Sequence, residues 1–206
     1  MKLYTMPGAC SLAPDIALRE AGIQFELIKV SHHTHKTAEG VDLNEINSKG
    51  YVPALVLDNG ELLTENAVLL PYIADLNPAA KLAPPAGTLE RYRLGEWLSY
   101  INSEIHKAFS PLFVPNAPED MKQYARANLK KRVGWLAERL GTTPYLLGEQ
   151  FTVADAYLFV VLSWSPHVNF DLSPWPNLKA FQERVAARPH VIEAMTAEGL
   201  LRNKRA

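Results

Sequence analysis

Sulfur is scarce in this chain: 206 residues hold one cysteine, Cys10, and four methionines. A lone cysteine makes no intramolecular disulfide, which suits a reducing compartment and sets cytoplasmic localisation as the expectation. A mixed disulfide with a small thiol remains open to it. No apolar run reaches the length of a membrane span, and the N-terminus lacks the charged-then-apolar layout of a secretion signal. Neither sign of charge dominates: 21 Lys+Arg against 22 Asp+Glu give a net charge of −1, which argues against a dedicated nucleic-acid binder. Internal repeats and low-complexity tracts are absent. What is present is ordinary globular material, 48% hydrophobic and 21% charged, enough for a core without metal or disulfide staples.

The charge is unevenly spread. Residues 1–80 carry 5 basic and 10 acidic side chains, a balance of −5, and residues 81–206 carry 16 and 12, a balance of +4. The only basic block is the short tail Arg202-Asn203-Lys204-Arg205. The first eighty residues alternate strand-like and helix-like pieces. Lys2–Thr5 and Phe25–Val30 read as strands, and Ser11–Ala21 reads as a helix stopped by Gly22. Residues 31–50 read as loop with one helical turn around Val41–Ile46. Ala54–Leu57 and Glu61–Leu63 flank Asp58-Asn59-Gly60, a strong hairpin signal because Asn-Gly supplies the positive φ angles of a tight turn. Asn66–Leu76 is a helix with Pro71 awkwardly inside it. The order is βαβαββα, an α/β domain over 1–80. Residues 81–87 (Lys-Leu-Ala-Pro-Pro-Ala-Gly) form a linker. From 88 to 206 the pattern is helical. Leu94, Trp97, Leu98, Ile101, Ile105 and Phe109 keep the three-four spacing of a buried face. Further helices are expected at Asp120–Leu140, Thr152–Ser163 (very apolar, hence central), Leu178–Ala187 and Val191–Ala197.

Cys10 follows the strand at Lys2–Thr5 and the breaker pair Pro7-Gly8, and precedes the helix starting at Ser11. It therefore lies where a loop becomes a helix N-terminus, where unpaired N–H groups and the positive end of the dipole favour a thiolate. The alternative is a small buried hydrophobe, a common state for cysteine. Val52-Pro53 stands at a strand entry. A cis bond there would turn the preceding backbone groups outward to pair with an extended ligand, whereas trans is the commoner state. Glu65-Asn66 opens the third helix. Its carboxylate either complements the dipole or, with the helix N–H groups, receives a zwitterionic ligand.

On the 88–109 helix a second stripe, Gly95, Ser99, Asn102, Ser103 and His106, runs beside the apolar one, with Lys107 at its end. Solvated faces usually carry Glu, Lys and Arg, so a run of small polar residues ending in histidine suits close approach of a ligand or another subunit. Thr152-Val153-Ala154-Asp155 fits a capping box, with Phe151 as staple, a structural role. His32, His33 and His35 form a histidine cluster without accompanying ligands, better read as a solvated loop than as a metal site. Metal is not expected.

Taken jointly these pieces resemble a cytosolic glutathione S-transferase, most closely the bacterial beta class. The matching segments are Met1-Lys2-Leu3-Tyr4 with Pro7-Gly8-Ala9-Cys10-Ser11-Leu12-Ala13; Asn47 with Lys49-Gly50-Tyr51-Val52-Pro53-Ala54-Leu55; Leu63-Thr64-Glu65; Glu104-Ile105-His106-Lys107; and Phe151-Thr152-Val153-Ala154-Asp155-Ala156-Tyr157. They occur in family order and extend to about residue 165. The resemblance implies a thioredoxin-like N-terminal domain, an all-helical C-terminal domain over 88–206 and a homodimer. It implies glutathione as co-substrate. Val52-Pro53 would be a cis element pairing with its cysteinyl part, and Glu65 and Asn66 would hold its γ-glutamyl end. Cys10 would lie at its sulfur, with Ala9 also binding glutathione and His106 and Lys107 facing the same pocket. Ser99, Ser103 and Glu104 would approach across the dimer interface. Histidine stands at 35 and serine at 99 where the class usually has lysine and asparagine, so His35, helped by Lys36, would meet the glycyl carboxylate.

The function so implied is conjugation of glutathione to electrophilic hydrophobic compounds, with Cys10 and His106 as catalytic residues. Tyr4, Phe109, Phe113, Tyr157, Trp164 and His167 would line the hydrophobic substrate site, whose shape rather than any motif sets the acceptor. Two alternatives stand beside it. One is glutathione-dependent thiol–disulfide exchange through Cys10, with a second thiol resolving the mixed disulfide. The other is a non-catalytic carrier of hydrophobic ligands.

Overall fold

The computed structural model describes residues 1–201; the basic tail noted above lies outside the described residues. The chain divides into two compact units. One comprises Met1–Ala83 together with the chain from Ala187 on, and the other Pro84–Ala186.

The first unit is built on a four-stranded sheet in the order β2-β1-β3-β4. Strand β1 (Lys2–Thr5) pairs in parallel with β2 (Glu26–Lys29), placing Leu3 opposite Leu27. On its other side β1 runs antiparallel to β3 (Ala54–Val56), with Leu3 opposite Leu55. Strand β4 (Leu62–Thr64) closes the sheet antiparallel to β3. The parallel pair requires a crossover, which α1 (Leu12–Glu20) supplies. After the short α2 (Leu43–Ile46), α3 (Asn66–Leu76) packs beside α1, with Pro71 inside it. Leu3, Leu55, Ile16, Leu18, Leu69, Leu70 and Ile73 are all fully buried.

Two turns show why glycine was needed. Gly22, at φ +67°, ends α1: its N–H reaches the Arg19 carbonyl while the Ile23 N–H reaches that of Leu18, the paired bonds of a Schellman motif. In the β3–β4 hairpin only Gly60 has positive φ (+85°), and Asn59 does not. The expected pair of positive φ angles is thus corrected. The Gly60 N–H bonds the Leu57 carbonyl, and Leu57 N–H bonds Glu61, the pattern of a longer loop closed by a left-handed glycine.

The last helix, α9 (Pro189–Glu198), packs on α1. The sequence reading assigned it to the helical domain from 88 onward, but its contacts lie in the first unit. Helical periodicity reports a buried face without naming what buries it. Here Val191 and Ala194 are fully buried, and Arg188 clamps Glu20 through two bonds of 2.6 and 2.8 Å.

The second unit is all-helical. Helix α4 (Leu89–Tyr100) passes into a π-helical turn, Ile101–His106, then α5 (Lys107–Phe109) and a 3₁₀ turn, Ser110–Phe113. Leu94, Leu98, Ile101, Ile105 and Phe109 are buried as the spacing predicts, while Trp97 is only half-buried and meets the rings of Tyr100 and Trp135. The π turn was not anticipated, because it leaves that spacing intact. Helix α6 (Glu119–Leu140) ends at Gly141, whose N–H still bonds the Ala137 carbonyl, and the Asn177 side-chain amide donates to the carbonyls of both Ala137 and Gly141, bracing the helix end. Every residue of α7 (Val153–Leu162) is buried, and α8 (Pro176–Ala186) covers it with Leu178, Phe181 and Val185 inward. At the start of α7 the Asp155 carboxylate accepts from the N–H groups of Leu146 and Thr152 and from the Thr152 hydroxyl, all at 2.8–2.9 Å.

Candidate active site

Cys10 lies in the turn between β1 and α1, partly exposed and not in a disulfide. Its thiol donates to the Val52 carbonyl at 3.4 Å. Its own carbonyl accepts from the Ala13 N–H at 3.2 Å and the Asn66 side-chain amide at 3.0 Å. The first helical amides are therefore less available than expected, since Leu12 N–H also pairs, with the Ala9 carbonyl. Beneath the turn the Ser11 hydroxyl, fully buried, meets the Thr5 hydroxyl at 2.8 Å and the Met6 N–H at 3.1 Å. Glu198 of α9 accepts from the Thr5 hydroxyl at 2.5 Å and from the Gly8 N–H at 2.8 Å. Burial raises the Glu198 carboxyl to about 7. The loop carrying Cys10 is thus held from both its flanks.

Val52-Pro53 is cis, as the resemblance implies and against the commoner trans state. Val52 is buried with Met6, Val30 and Leu43, and Tyr4 and Ala9 pack against this group. At the head of α3, Glu65 has φ +69° and ψ 115°, an uncommon backbone for a residue with a side chain. Such a conformation persists only where its surroundings hold it, and it motivates a functional reading. Here Lys49 Nζ and the Tyr51 hydroxyl both reach Glu65 Oε1, at 2.6 and 2.7 Å, and Lys49 also donates to the Thr64 hydroxyl. The bond to Glu65 pushes both the Lys49 ammonium and the Tyr51 phenol to higher pKa. Asn66 is buried; its amide holds Cys10, and its carbonyl oxygen has no protein partner. The structure therefore joins Cys10, Val52 and Asn66 by direct bonds. His35 is exposed, with φ +55°. His32 Nε2–H donates to the Pro7 carbonyl at 2.9 Å.

In the helical unit His106 Nδ1 lies 2.7 Å from the Tyr157 hydroxyl, which donates to Asn102 Oδ1 at 3.0 Å. Desolvation, with a smaller contribution from the Lys107 charge, lowers the His106 pKa to about 4, so the ring is neutral at pH 7. Trp164 gathers His106, Phe109 and Phe113 edge-on, at centroid distances of 4.9, 5.8 and 5.9 Å. Phe109 and Tyr157, expected to line a substrate pocket, are fully buried and instead back the residues around them. Phe113 and His167 are exposed, and Trp164 is nearly buried. Ser99, Ser103 and Lys107 are exposed; the Ser103 hydroxyl donates to the Ser99 carbonyl. The Glu104 carboxylate meets Arg132 at 2.7 Å.

Three contributors escaped the sequence reading as site residues, Lys49 and Tyr51, which grip Glu65, and Glu198; Asn102 stood in the small polar stripe but was given no role of its own. Lys49 and Tyr51 stood inside a matched motif, and Asn102 lies four residues before His106 on one helical face, so both had a signal. Glu198, 188 residues beyond Cys10, had none.

A mixed sheet with a cysteine at the β1–α1 corner, a cis-proline entering β3 and an irregular helix start at α3 defines the thioredoxin-like class, here followed by a helical unit. The comparisons agree. Residues 8–76 match the model of the glutathione S-transferase N-terminal domain, and residues 100–189 that of its C-terminal domain. Glutathione S-transferase GstA of Escherichia coli O157:H7 is 45% identical over 97% of this chain and 100% of its own. Among solved structures, a bacterial beta-class glutathione S-transferase of Sphingomonas chungbukensis is 51% identical with a TM-score of 0.94, over 98% of this chain and 100% of that one. A sphingomonad glutathione S-transferase complexed with glutathione is 48% identical with a TM-score of 0.93, over the same shares. This chain belongs to the glutathione S-transferase family, in its bacterial beta class. Among the described residues no helix is long and apolar enough to cross a membrane.

Proposed function

We propose that this chain conjugates glutathione to electrophilic hydrophobic compounds, as a detoxifying enzyme of the cytoplasm acting as a homodimer. The observation that carries the reading is the bonding of Cys10 to both Val52 and Asn66 at the head of α3. A thiol, strand-edge backbone and a helix start beside a carboxylate are what a γ-glutamyl-cysteinyl-glycine needs. The backbone of Val52 pairs with the cysteinyl part. Glu65 takes the γ-glutamyl ammonium and Asn66 its carboxylate, and His35 takes the glycyl carboxylate. Cys10 stands at the sulfur, and Ala9 also binds the tripeptide. Ser99, Ser103 and Glu104 approach from the partner subunit, and Lys107 adds positive charge.

In the reaction the glutathione thiol passes its proton through neutral His106 to solvent, a transient transfer because the low pKa of the ring makes it a weak base; the sulfur attacks the electrophilic carbon, and the leaving group departs with its electron pair. Orientation and stabilisation of the thiolate supply the acceleration. Phe113, Trp164 and His167 receive the acceptor.

Retention on immobilised glutathione and turnover of chlorodinitrobenzene test this. Glu65→Ala should weaken glutathione binding roughly 10- to 100-fold, the worth of a charge-assisted bond. A folded wild-type protein that fails to bind glutathione overturns the reading in favour of a hydrophobic-ligand carrier. The partial exposure of Cys10 supports thiol–disulfide exchange as a second reading. Cys10→Ala separates the two: conjugation that largely survives while disulfide reduction is abolished assigns the thiol a redox role, and loss of conjugation assigns it to the conjugation reaction.

A further inference from the structure

Tyr157 is fully buried on α7, yet its hydroxyl is shared between two side chains of the π turn, 2.7 Å from His106 Nδ1 and 3.0 Å from Asn102 Oδ1. A phenol has one proton to give. Donated to the Asn102 carbonyl oxygen, it leaves the phenolic oxygen facing His106 as an acceptor only. Nδ1 must then bring its own hydrogen. A neutral imidazole with Nδ1 protonated has a bare lone pair on Nε2. We propose that Asn102 and Tyr157 are positioning residues that hold His106 in the Nδ1–H tautomer, so that Nε2 is the proton-accepting atom.

The geometry supports this in two further ways. Asn102 and His106 are four residues apart on the widened turn and so share a face, which lets one hydroxyl serve both. The ring's tilt is also fixed, by Tyr157 at 5.9 Å and 89° and by Trp164 at 4.9 Å and 62°. With Nδ1 engaged and the ring clamped, Nε2 has no protein hydrogen bond among the described residues. The inference deepens the proposed function, because it rests on His106 being the acceptor of the glutathione proton. The opposite orientation of the Asn102 amide would reverse the chain, sending the phenol proton to Nδ1 and placing hydrogen on Nε2.

Long-range proton–nitrogen correlation spectra of the ¹⁵N-labelled full chain at pH 7 decide between them, the His106 signals being those missing from His106→Gln. Nδ1 should appear as a protonated, pyrrole-type nitrogen and Nε2 as a bare, pyridine-type one. Asn102→Leu removes the acceptor, so the phenol turns to Nδ1 and the tautomer inverts. Asn102→Asp keeps an acceptor and the original tautomer. The inversion should lower kcat/KM for conjugation about 10- to 100-fold, as expected of a misdirected catalytic group, with Asn102→Asp retaining more activity. Hydrogen on Nε2 in the wild type, or an unchanged ring in Asn102→Leu, overturns the proposal. The catalytic reading fails separately: if His106→Gln conjugates at the wild-type rate, His106 is not the base, while the tautomer assignment still stands on its spectrum.

Discussion

At the scale of single residues, burial decides what His106 can do. An ordinary imidazole changes charge near 6.5, but here desolvation and the neighbouring Lys107 charge hold it to about 4, and among the described residues the ionisable group hydrogen-bonded to it is the Tyr157 phenol. The neutral ring, the form that accepts a proton, is therefore dominant at every pH above about 5. The pH profile of kcat/KM should show no histidine limb near 6.5. A limb there that disappears in His106→Gln would contradict this. Glu65 is the counterpart in the sheet unit. The sequence shows a carboxylate at a helix start, which fits dipole stabilisation as well as ligand binding. What separates the two is its positive φ and the grip of Lys49 and Tyr51, both matters of long-range packing.

At the scale of elements, two carboxylates anchor helix ends, and both lie where solvent cannot reach. Asp155 joins the start of α7 to the preceding loop through three donors. Asp155→Ala strands the Leu146 and Thr152 N–H groups and should cost about 3 kcal/mol, read as a lower urea midpoint at unchanged m-value. Glu198 ties the end of α9 to the Cys10 loop. Its carboxyl rises from an ordinary 4.5 to about 7 because burial penalises its charge. Between those values the folded chain keeps a proton that the unfolded chain has released. Its contribution is thus complete below about 4.5, shrinks as pH rises, and is lost above about 7, by at most about 1.4 kcal/mol per pH unit. Glu198→Gln mimics the protonated form, so the variant should gain on the wild type in stability as pH is raised from 5 to 8. Equal pH slopes for the two proteins would refute it. The capping box was legible because it is complete within four residues. The bond network of Glu198 was not, because its partners Thr5 and Gly8 are 193 and 190 residues away.

At the scale of the whole molecule, the chain from Ala187 on completes the sheet unit, although it follows the helical one in sequence. Ending the chain after Ala186 removes the Arg188–Glu20 clamp and the Glu198 anchor, and exposes the α1 surface that α9 covers. Such a truncation should lose retention on immobilised glutathione and the cooperative unfolding of the sheet unit, though it deletes no residue proposed to touch the tripeptide. Full retention would show that α9 is dispensable. The sequence by itself determined what depends on near neighbours: the βαβαββα order, the helix stop at Gly22, the Asn-Gly hairpin, the buried stripe of α4, the Asp155 cap, and the loop-to-helix setting of Cys10. Each arises from backbone preferences or periodicities that operate over a few residues. Only the tertiary structure decided which partners those elements acquire. It brought Val52 to Cys10 across 42 residues and Asn66 across 56, made Tyr157 a support rather than a lining, and gave α9 to the first unit. Contacts at that separation form only when a whole core has packed, and no local rule encodes which buried faces will meet.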